Sequence, residues 1–189
     1  EVLVEVQHHE RYGLSLNIID LNPEYSLGKL AQQRQQTLDQ LIAEKLIDKN
    51  KQLLLPRVVQ KIAVLSSSTA AGLADFKNQL LNNSYGYRFD VELYPVAVQG
   101  QHVRREITKA LEQIQQELYK PQLIIILRGG GSKLDLAAFD DFELCKAVAN
   151  CSLPVLVAVG HETDESVLDL VAYHSLKTPT AAADFLIEK

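Results

Sequence analysis

The chain has 189 residues, with 24 acidic and 19 basic side chains and a net charge of −5. This length suits one domain with its own hydrophobic core. The acidic balance argues against a stand-alone nucleic-acid binder, because phosphate contacts normally need a basic surface. No apolar run approaches the roughly 18 residues of a membrane span. The two cysteines, Cys145 and Cys151, lack CxxC spacing, which argues against a disulfide framework or zinc site and favours a reducing cytoplasm.

Two β-strands followed by a long helix are predicted at the start of the chain. Alternating hydrophobic residues mark the strands at residues 2–6 and 14–21, which are close enough to pair as a hairpin. Pro23 stops the second strand, and Ser26 is a suitable N-cap for a helix that continues to about Asp48. The hairpin is too small to be a domain, so we expect it to be the tail of an N-terminal β module.

From about residue 60, short apolar runs alternate with amphipathic helices. The predicted strands cover residues 62–65, 89–98, 123–127 and 155–159. The predicted helices reach about residues 81, 119 and 149, and the last helix has Thr178 as its cap and Pro179 at its first position. Apolar strands that alternate with helices predict an α/β fold with a mostly parallel, Rossmann-like sheet and helices on both faces.

Three of these strands end in loops of unusual sequence. The loops are residues 66–69, 128–132 and 160–164. Open parallel sheets bind ligands at the carboxyl ends of their strands, and these ends share one edge of the sheet. We therefore expect the three loops to form one site.

The second loop, Arg128-Gly129-Gly130-Gly131-Ser132, has the features of a phosphate site. Three glycines allow a sharp turn that directs backbone N–H groups at an anion, and Arg128 adds a bidentate phosphate donor. A glycine run can also be a plain strand-to-helix turn, but the adjacent arginine favours phosphate binding. The loop matches neither the Walker pattern nor the dinucleotide GxGxxG pattern.

The third loop, Gly160-His161-Glu162-Thr163-Asp164, offers acid–base chemistry. A histidine and two carboxylates within four residues could deprotonate a water, protonate a leaving oxygen or ligate a metal. The structural alternative makes His161 a hydrogen-bonded turn residue and Asp164 a helix N-cap. Because the loop directly follows a buried strand, the catalytic and the structural interpretation have equal support.

The first loop supplies hydroxyl groups. Ser67, Ser68 and Thr69 can cap the next helix and hydrogen-bond phosphate oxygens, and Gln99 is expected at the same edge of the sheet. Asp75 lies in the helix after the first loop, where a surface charge is the simpler interpretation. No GxSxG pattern occurs, so a serine nucleophile is not indicated.

An acidic cluster after the glycine loop bears on metal binding. Its members are Asp135, Asp140, Asp141 and Glu143. Mg²⁺ prefers oxygen ligands, and Asp135 together with Glu162 of the third loop are the weak candidates for holding it. The simpler interpretation is a solvated helix start that the helix dipole favours. An arginine–histidine site would need no metal, so both alternatives stay open.

In their order and spacing, these motifs resemble the large subunit of exodeoxyribonuclease VII. The resemblance covers nearly the whole chain, through Arg11-Tyr12-Gly13-Leu14, residues 67–76, Val98-Gln99-Gly100, the glycine loop, the His161 loop and Thr178-Pro179-Thr180-Ala181. It implies hydrolysis of phosphodiester bonds in single-stranded DNA from both ends, with release of short oligonucleotides.

The resemblance also implies a domain arrangement and partners. Residues 1–25 would be the remnant of an N-terminal OB-fold and its linker, and residues 26–189 the α/β catalytic domain. In this family a long coiled coil follows and carries the small subunit. The expected partners are therefore single-stranded DNA and the small subunit, and strand binding by the OB-fold would account for the acidic charge of this chain.

Four catalytic residues are implied by the resemblance, namely Asp75, Arg128, His161 and Asp164. Arg128 would clamp the scissile phosphate and stabilise its developing charge. His161 would act as acid or base, and Asp164 would orient it or hold a water or metal.

The chain departs from the usual family pattern at two positions near these residues. The family usually has a glycine where this chain has Ala70, whereas the glycine here is Gly72. Leu134 stands where a glutamate is common, which weakens a metal role for Asp135. Neither departure removes a proposed catalytic residue.

A non-catalytic phosphate- or nucleotide-binding module is the alternative function, because the glycine loop alone would serve it. An assembly scaffold is a third interpretation. A pure binder would not need the pair His161 and Asp164, so the full set of loops favours the exonuclease.

Overall fold

The chain begins with a β-hairpin and continues as an α/β domain. The computed structural model describes residues 2–9, 13–21, 23–130, 133–159 and 165–189. Strand β1 (Val2–His9) pairs antiparallel with β2 (Gly13–Leu21). The hairpin confirms the predicted N-terminal β extension.

The first helix begins and ends earlier than predicted. It was expected from Ser26 to about Asp48, but α1 spans Pro23–Ala43. A proline fits the first turn because its missing N–H would have no intrahelical partner there, so the helix starts before Ser26. The helix ends where Lys45 adopts a φ of 57°. The next N–H then bonds to the Leu41 carbonyl at 2.9 Å, which closes a Schellman motif.

A five-stranded parallel sheet forms the centre of the domain, as predicted. Its strands are β3 (Lys61–Ser66), β4 (Asp90–Pro95), β5 (Leu123–Leu127), β6 (Val155–Ala158) and β7 (His174–Ser175). Their order is β4-β3-β5-β6-β7, and every neighbouring pair is parallel. In this doubly wound order, the direction in which the sheet grows reverses between β3 and β5. The sequence does not predict β7, because two residues show no periodicity.

Helices cover both faces of the sheet, which confirms the predicted fold class. The remaining helices are α2 (Ala71–Leu81), α3 (Val103–Gln116), α4 (Lys133–Leu136), α5 (Phe142–Ala149), α6 (Val167–Val171) and α7 (Pro179–Ile187). Helices α2 and α7 pack on one face, and α1, α3, α5 and α6 pack on the other. Ile62 and Val64 point to the first face and Ala63 and Leu65 to the second, so both faces of β3 are apolar. None of the described helices is long and apolar enough to cross a membrane.

The helix predicted to end at residue 149 is interrupted. A 3₁₀ turn over Ala137–Asp140 follows α4, and α5 starts anew after Asp141. The Asp141 side chain accepts a hydrogen bond from the Leu144 N–H at 3.0 Å, so it is the N-cap of α5. The acidic cluster therefore contains a helix cap, in line with its simpler interpretation as a helix start.

Both cysteines belong to the hydrophobic core. Cys145 and Cys151 are buried, and burial raises the pKa of each thiol above its ordinary value. A raised pKa disfavours the thiolate, which is the reactive form. Within the described structure, both thiols are therefore buried core groups.

Candidate active site

The reversal in strand order creates a crevice between the carboxyl ends of β3 and β5. The first loop leaves β3 and the glycine loop leaves β5, so both flank this crevice. The Ser66 hydroxyl donates to the Leu127 carbonyl at 3.0 Å and ties the two strand ends together. Doubly wound sheets bind ligands at this kind of switch point. The strand order therefore brings the first two loops together, as predicted.

Backbone contact between two glycines brings the glycine loop against α2. A Cβ added to Gly129 would lie 2.8 Å from the Gly72 nitrogen, and one added to Gly72 would lie 3.1 Å from the Gly129 Cα. The same Cβ on Gly72 would lie 2.7 Å from Cγ of Pro179, the first residue of α7. Three elements therefore meet at Gly72. We call this region, formed by residues 67–72, 128–130 and 178–180, the switch-point site.

The close approach predicts a large effect of one methyl group. Gly129→Ala should lower the free energy of unfolding of the 189-residue chain by roughly 1–3 kcal/mol, because backbone atoms of α2 must shift. Gly28→Ala is the matched control. An added Cβ on Gly28 of α1 meets no atom within 4 Å, so alanine should stabilise the helix by up to about 1 kcal/mol. Urea unfolding measures both changes. Equal stability of Gly129→Ala and wild type would show that the loop is not tightly packed against α2.

The N-termini of two helices lie at the switch-point site. Helix α2 has 11 residues and α7 has 9, so each carries a positive dipole end there. Thr178 caps α7 by accepting from the Ala181 N–H at 3.0 Å, which confirms the predicted cap and Pro179 as first residue. Such an arrangement suits a phosphate or another anion.

Hydroxyl groups surround these helix ends. Ser67 and Thr69 lie 3.2 Å apart between hydroxyl oxygens, and Ser68 and Thr69 are exposed. The Thr178 and Thr180 hydroxyl oxygens are 2.9 Å apart. The two threonines were not predicted as site residues, because only the tertiary path of α7 brings them to this edge.

Arg128 lies at the end of β5 and is almost enclosed. Its side chain is 4% exposed, and its guanidinium lies 3.4 Å from an Asp135 carboxylate oxygen. It also donates to the Val159 carbonyl at 3.4 Å, at the end of β6. The guanidinium thus links β5, β6 and α4. A fixed, poorly solvated positive charge acts more strongly on a nearby phosphate than an exposed one.

The other predicted site residues fall into three groups. Asp75 is exposed on α2, about one turn after Ala71, and forms no hydrogen bond or ion pair with the part of the chain described. Gln99 and Gly130 are exposed on loops at the same edge of the sheet. The remaining predictions lie outside the described residues and are Gly131, Ser132, His161, Glu162 and Asp164.

A polar network holds the chain just after the third loop. Arg34 of α1 donates to the Glu165 carbonyl. Asp140 accepts from the Val167 N–H at 2.6 Å and from Arg34 at 3.4 Å. Sequence analysis assigned Asp140 only to the acidic cluster and missed its partners, since Arg34 is far away along the chain.

A capping box completes this anchor. The Ser166 hydroxyl and N–H both bond to Asp169, at 2.7 and 2.8 Å, so α6 starts in a fixed position. The Ser175 hydroxyl of β7 donates to the same carboxylate at 2.6 Å. The C-terminal side of residues 160–164 is thus tied to both α1 and the sheet.

Asp140 makes the stability of this anchor depend on pH. Burial raises the pKa of Asp140 above its ordinary value, and this outweighs the lowering by the Val167 N–H and Arg34. The folded state therefore binds more protons than the unfolded state between the usual pKa, about 3.9, and the raised one. The contribution of protonated Asp140 to the free energy of unfolding is therefore full below the usual pKa. It is lost as the pH rises through the raised pKa.

Asp140→Asn should remove this pH dependence. The free energy of unfolding of the variant, relative to wild type, should therefore increase as the pH rises through that window. Urea unfolding at several values between about pH 4 and 7 measures the difference. Asp39→Asn is the control, since Asp39 is exposed on α1. Parallel profiles for wild type and Asp140→Asn would contradict the assignment.

Metal binding finds little support in the described side chains. Among them, no group of three or more His, Cys, Asp and Glu residues could hold a metal ion. The candidate ligand Asp135 is paired with Arg128, and a metal would have to share that carboxylate with a guanidinium. The other candidate, Glu162, lies outside the described residues.

The fold defines a doubly wound α/β protein, with a glycine loop and two helix N-termini at the switch point of its sheet. Residues 46–189 match the family model described as "Exonuclease VII, large subunit". The chain therefore belongs to the exonuclease VII large subunit family, as its motifs predicted.

Relatives named "Exodeoxyribonuclease 7 large subunit" are similar over most of the chain. The protein of Nostoc sp. is 38% identical over 161 residues, which cover 85% of this chain and 38% of the relative. That of Ruthia magnifica is 38% identical over 186 residues, covering 97% and 39%. That of Deinococcus radiodurans is 32% identical over 184 residues, covering 96% and 44%. The chain thus spans less than half the length of each of these relatives.

Proposed function

We propose that this chain is the catalytic domain of an exonuclease that hydrolyses phosphodiester bonds in single-stranded DNA. The enzyme works from both ends of the strand and releases short oligonucleotides. The observation that carries this proposal is the meeting of the glycine loop, α2 and α7 at Gly72. Helix N-termini, backbone N–H groups and hydroxyls in one place suit a phosphodiester. Membership of the exonuclease VII large subunit family favours hydrolysis over phosphate binding alone.

The proposed mechanism needs an activated water, a protonated leaving oxygen and stabilisation of the charge that develops on the phosphate. Arg128 provides the charge stabilisation from its fixed position at the end of β5. His161 acts as the general acid or base. Asp164 orients His161 or the water. Asp75, on the exposed side of α2, is the fourth proposed catalytic residue.

The proposal extends to the whole protein. Residues 1–25 connect to an N-terminal OB-fold, residues 26–189 form the catalytic domain, and a coiled coil carries the small subunit. The OB-fold contributes most of the strand binding, because this chain is acidic overall. The enzyme acts in the cytoplasm, a reducing compartment in which both thiols stay free.

Digestion of end-labelled DNA by the complete large subunit with its small subunit tests this function. We expect degradation of single strands labelled at either end, short products, and no attack on duplex. Parallel reactions with Mg²⁺ and with EDTA measure the metal requirement. Failure to degrade single strands under both conditions would contradict the proposed function and favour a phosphate-binding module.

A further inference from the structure

A second surface with nucleic-acid chemistry lies at the opposite edge of the sheet, where β3 and β4 begin. A hollow of about 210 Å³ opens there, lined by Arg57, Tyr87, Arg88, Phe89 and Lys189 among others. A neighbouring hollow shares Tyr87, Arg88 and Phe89 and adds Lys77 of α2. This edge is separated from the switch-point site by the length of α2, about 16 Å for 11 residues.

Two stacked tyrosines form the exposed part of this surface. The rings of Tyr85 and Tyr87 have centroids 5.4 Å apart and planes 14° from parallel. They are 64% and 53% exposed. Large aromatic side chains usually bury most of their area. A parallel, exposed pair instead presents π-faces to solvent, where a planar ligand can stack.

The loop that carries the tyrosines is fixed by a single side chain. The Asn83 amide oxygen accepts from the N–H groups of Tyr85 and Tyr87, at 3.2 and 2.9 Å. The Asn83 amide nitrogen donates to the carbonyls of Leu80 and Tyr87, both at 2.8 Å. Gly86, with a φ of 70°, provides the turn between the rings. These hydrogen bonds and the turn at Gly86 together define the loop that carries both rings.

Positive charge borders the tyrosines without acidic neighbours in the hollows. No acidic side chain lines either hollow, although acidic residues outnumber basic ones in the chain as a whole. Arg57, Lys77 and Arg88 form no ion pair with any residue in the described ranges. Asp90 is close in sequence but lines neither hollow. The local charge is thus the reverse of the net charge.

We propose that this surface, formed by Tyr85 and Tyr87 with Arg57, Lys77 and Arg88, binds single-stranded DNA outside the active site. We call it the amino-edge platform. Bases stack on the two tyrosine rings, and the cations contact the adjacent phosphates. The inference rests on the proposed function, because it takes the same substrate. The platform and the switch-point site lie at opposite ends of α2, so one strand of sufficient length reaches both.

Binding by the complete enzyme tests the platform. All variants carry His161→Ala to prevent cleavage, and Kd is measured by fluorescence anisotropy with oligonucleotides of about four and about twenty residues. Tyr85→Ala with Tyr87→Ala should weaken binding of the long strand by roughly tenfold or more, the value of lost base stacking. Binding of the short strand should weaken as well, because its bases can stack on the same two rings. Tyr85→Phe with Tyr87→Phe keeps the rings and should bind like the parent.

Tyr119→Ala is the matched control, because Tyr119 is 78% exposed on another loop of the same edge and belongs to neither hollow. Arg57→Ala and Arg88→Ala should each lower the slope of log affinity against log salt by about 0.7. An unchanged Kd for the long strand in the double tyrosine variant would overturn the proposal. A change in the mass of the complex with unchanged DNA affinity would also overturn it and identify a protein interface. If the tyrosine variants bind the long strand weakly but the wild-type enzyme degrades no DNA, the platform proposal stands and only the proposed function is contradicted.

Discussion

Replacing Arg128 by alanine in the complete enzyme should lower the rate of single-strand hydrolysis by about 10²-fold or more. This is the usual effect of losing one preorganised donor that stabilises transition-state charge. The guanidinium is nearly enclosed and held by Asp135 and the Val159 carbonyl, so it is a preorganised donor of this kind. Single-turnover digestion of end-labelled single strands measures the loss.

Two further variants separate catalysis from packing. Arg128→Lys keeps the charge but lacks the planar fork of donors, so it should recover little of the rate. Asp135→Asn keeps the guanidinium and removes the charge of its partner, so its loss of rate should be clearly smaller than that of Arg128→Ala. Urea unfolding identifies variants that fail to fold. A folded Arg128→Ala enzyme with the wild-type rate would refute the role in phosphate stabilisation.

His161→Ala should abolish hydrolysis and leave strand binding intact. General acid–base catalysis contributes about 10²- to 10⁴-fold, and His161 is the histidine proposed for this role. The segment that follows the His161 loop is anchored by Arg34, Asp140 and Asp169, so the substitution should not disturb the fold. Activity on single strands and anisotropy with the same oligonucleotide give the two readouts.

His174→Ala is the matched control for this variant. His174 is exposed and its ring packs 5.1 Å from the Phe185 ring, on the face of the sheet that carries α7. It should retain activity. Turnover by His161→Ala at the level of His174→Ala would remove His161 from the mechanism.

The sequence predicted those strands and helix ends that depend on neighbouring residues in the chain. Residues 62–65 and 123–127 are continuous apolar runs because both faces of β3 and β5 are covered by helices. Thr178 and Pro179 were predicted as a helix start from cap chemistry alone, and the hydrogen bond to Ala181 confirms it. The first two loops could be assigned to one edge because every parallel strand ends there.

What the sequence could not predict depends on long-range pairing. Strand order determines which loops meet, and no local pattern places β3 beside β5 or α7 beside Gly72. The family pattern has its glycine at position 70, and nothing in the sequence indicated that Gly72 of this chain is the residue that contacts Gly129. Asp140 read as part of a solvated helix start, whereas burial and Arg34 give it a structural role.

Site-specific crosslinking tests most directly whether the switch-point site is where the strand is cut. The photoreactive residue p-benzoylphenylalanine replaces Ser68, which is exposed on the first loop, or Gln40, which is exposed on α1 across the sheet. Both enzymes carry His161→Ala and are irradiated with end-labelled single-stranded DNA. The account predicts efficient crosslinking of the strand end from position 68 and none from position 40. Equal crosslinking from both positions, or crosslinking from position 40 alone, would contradict it.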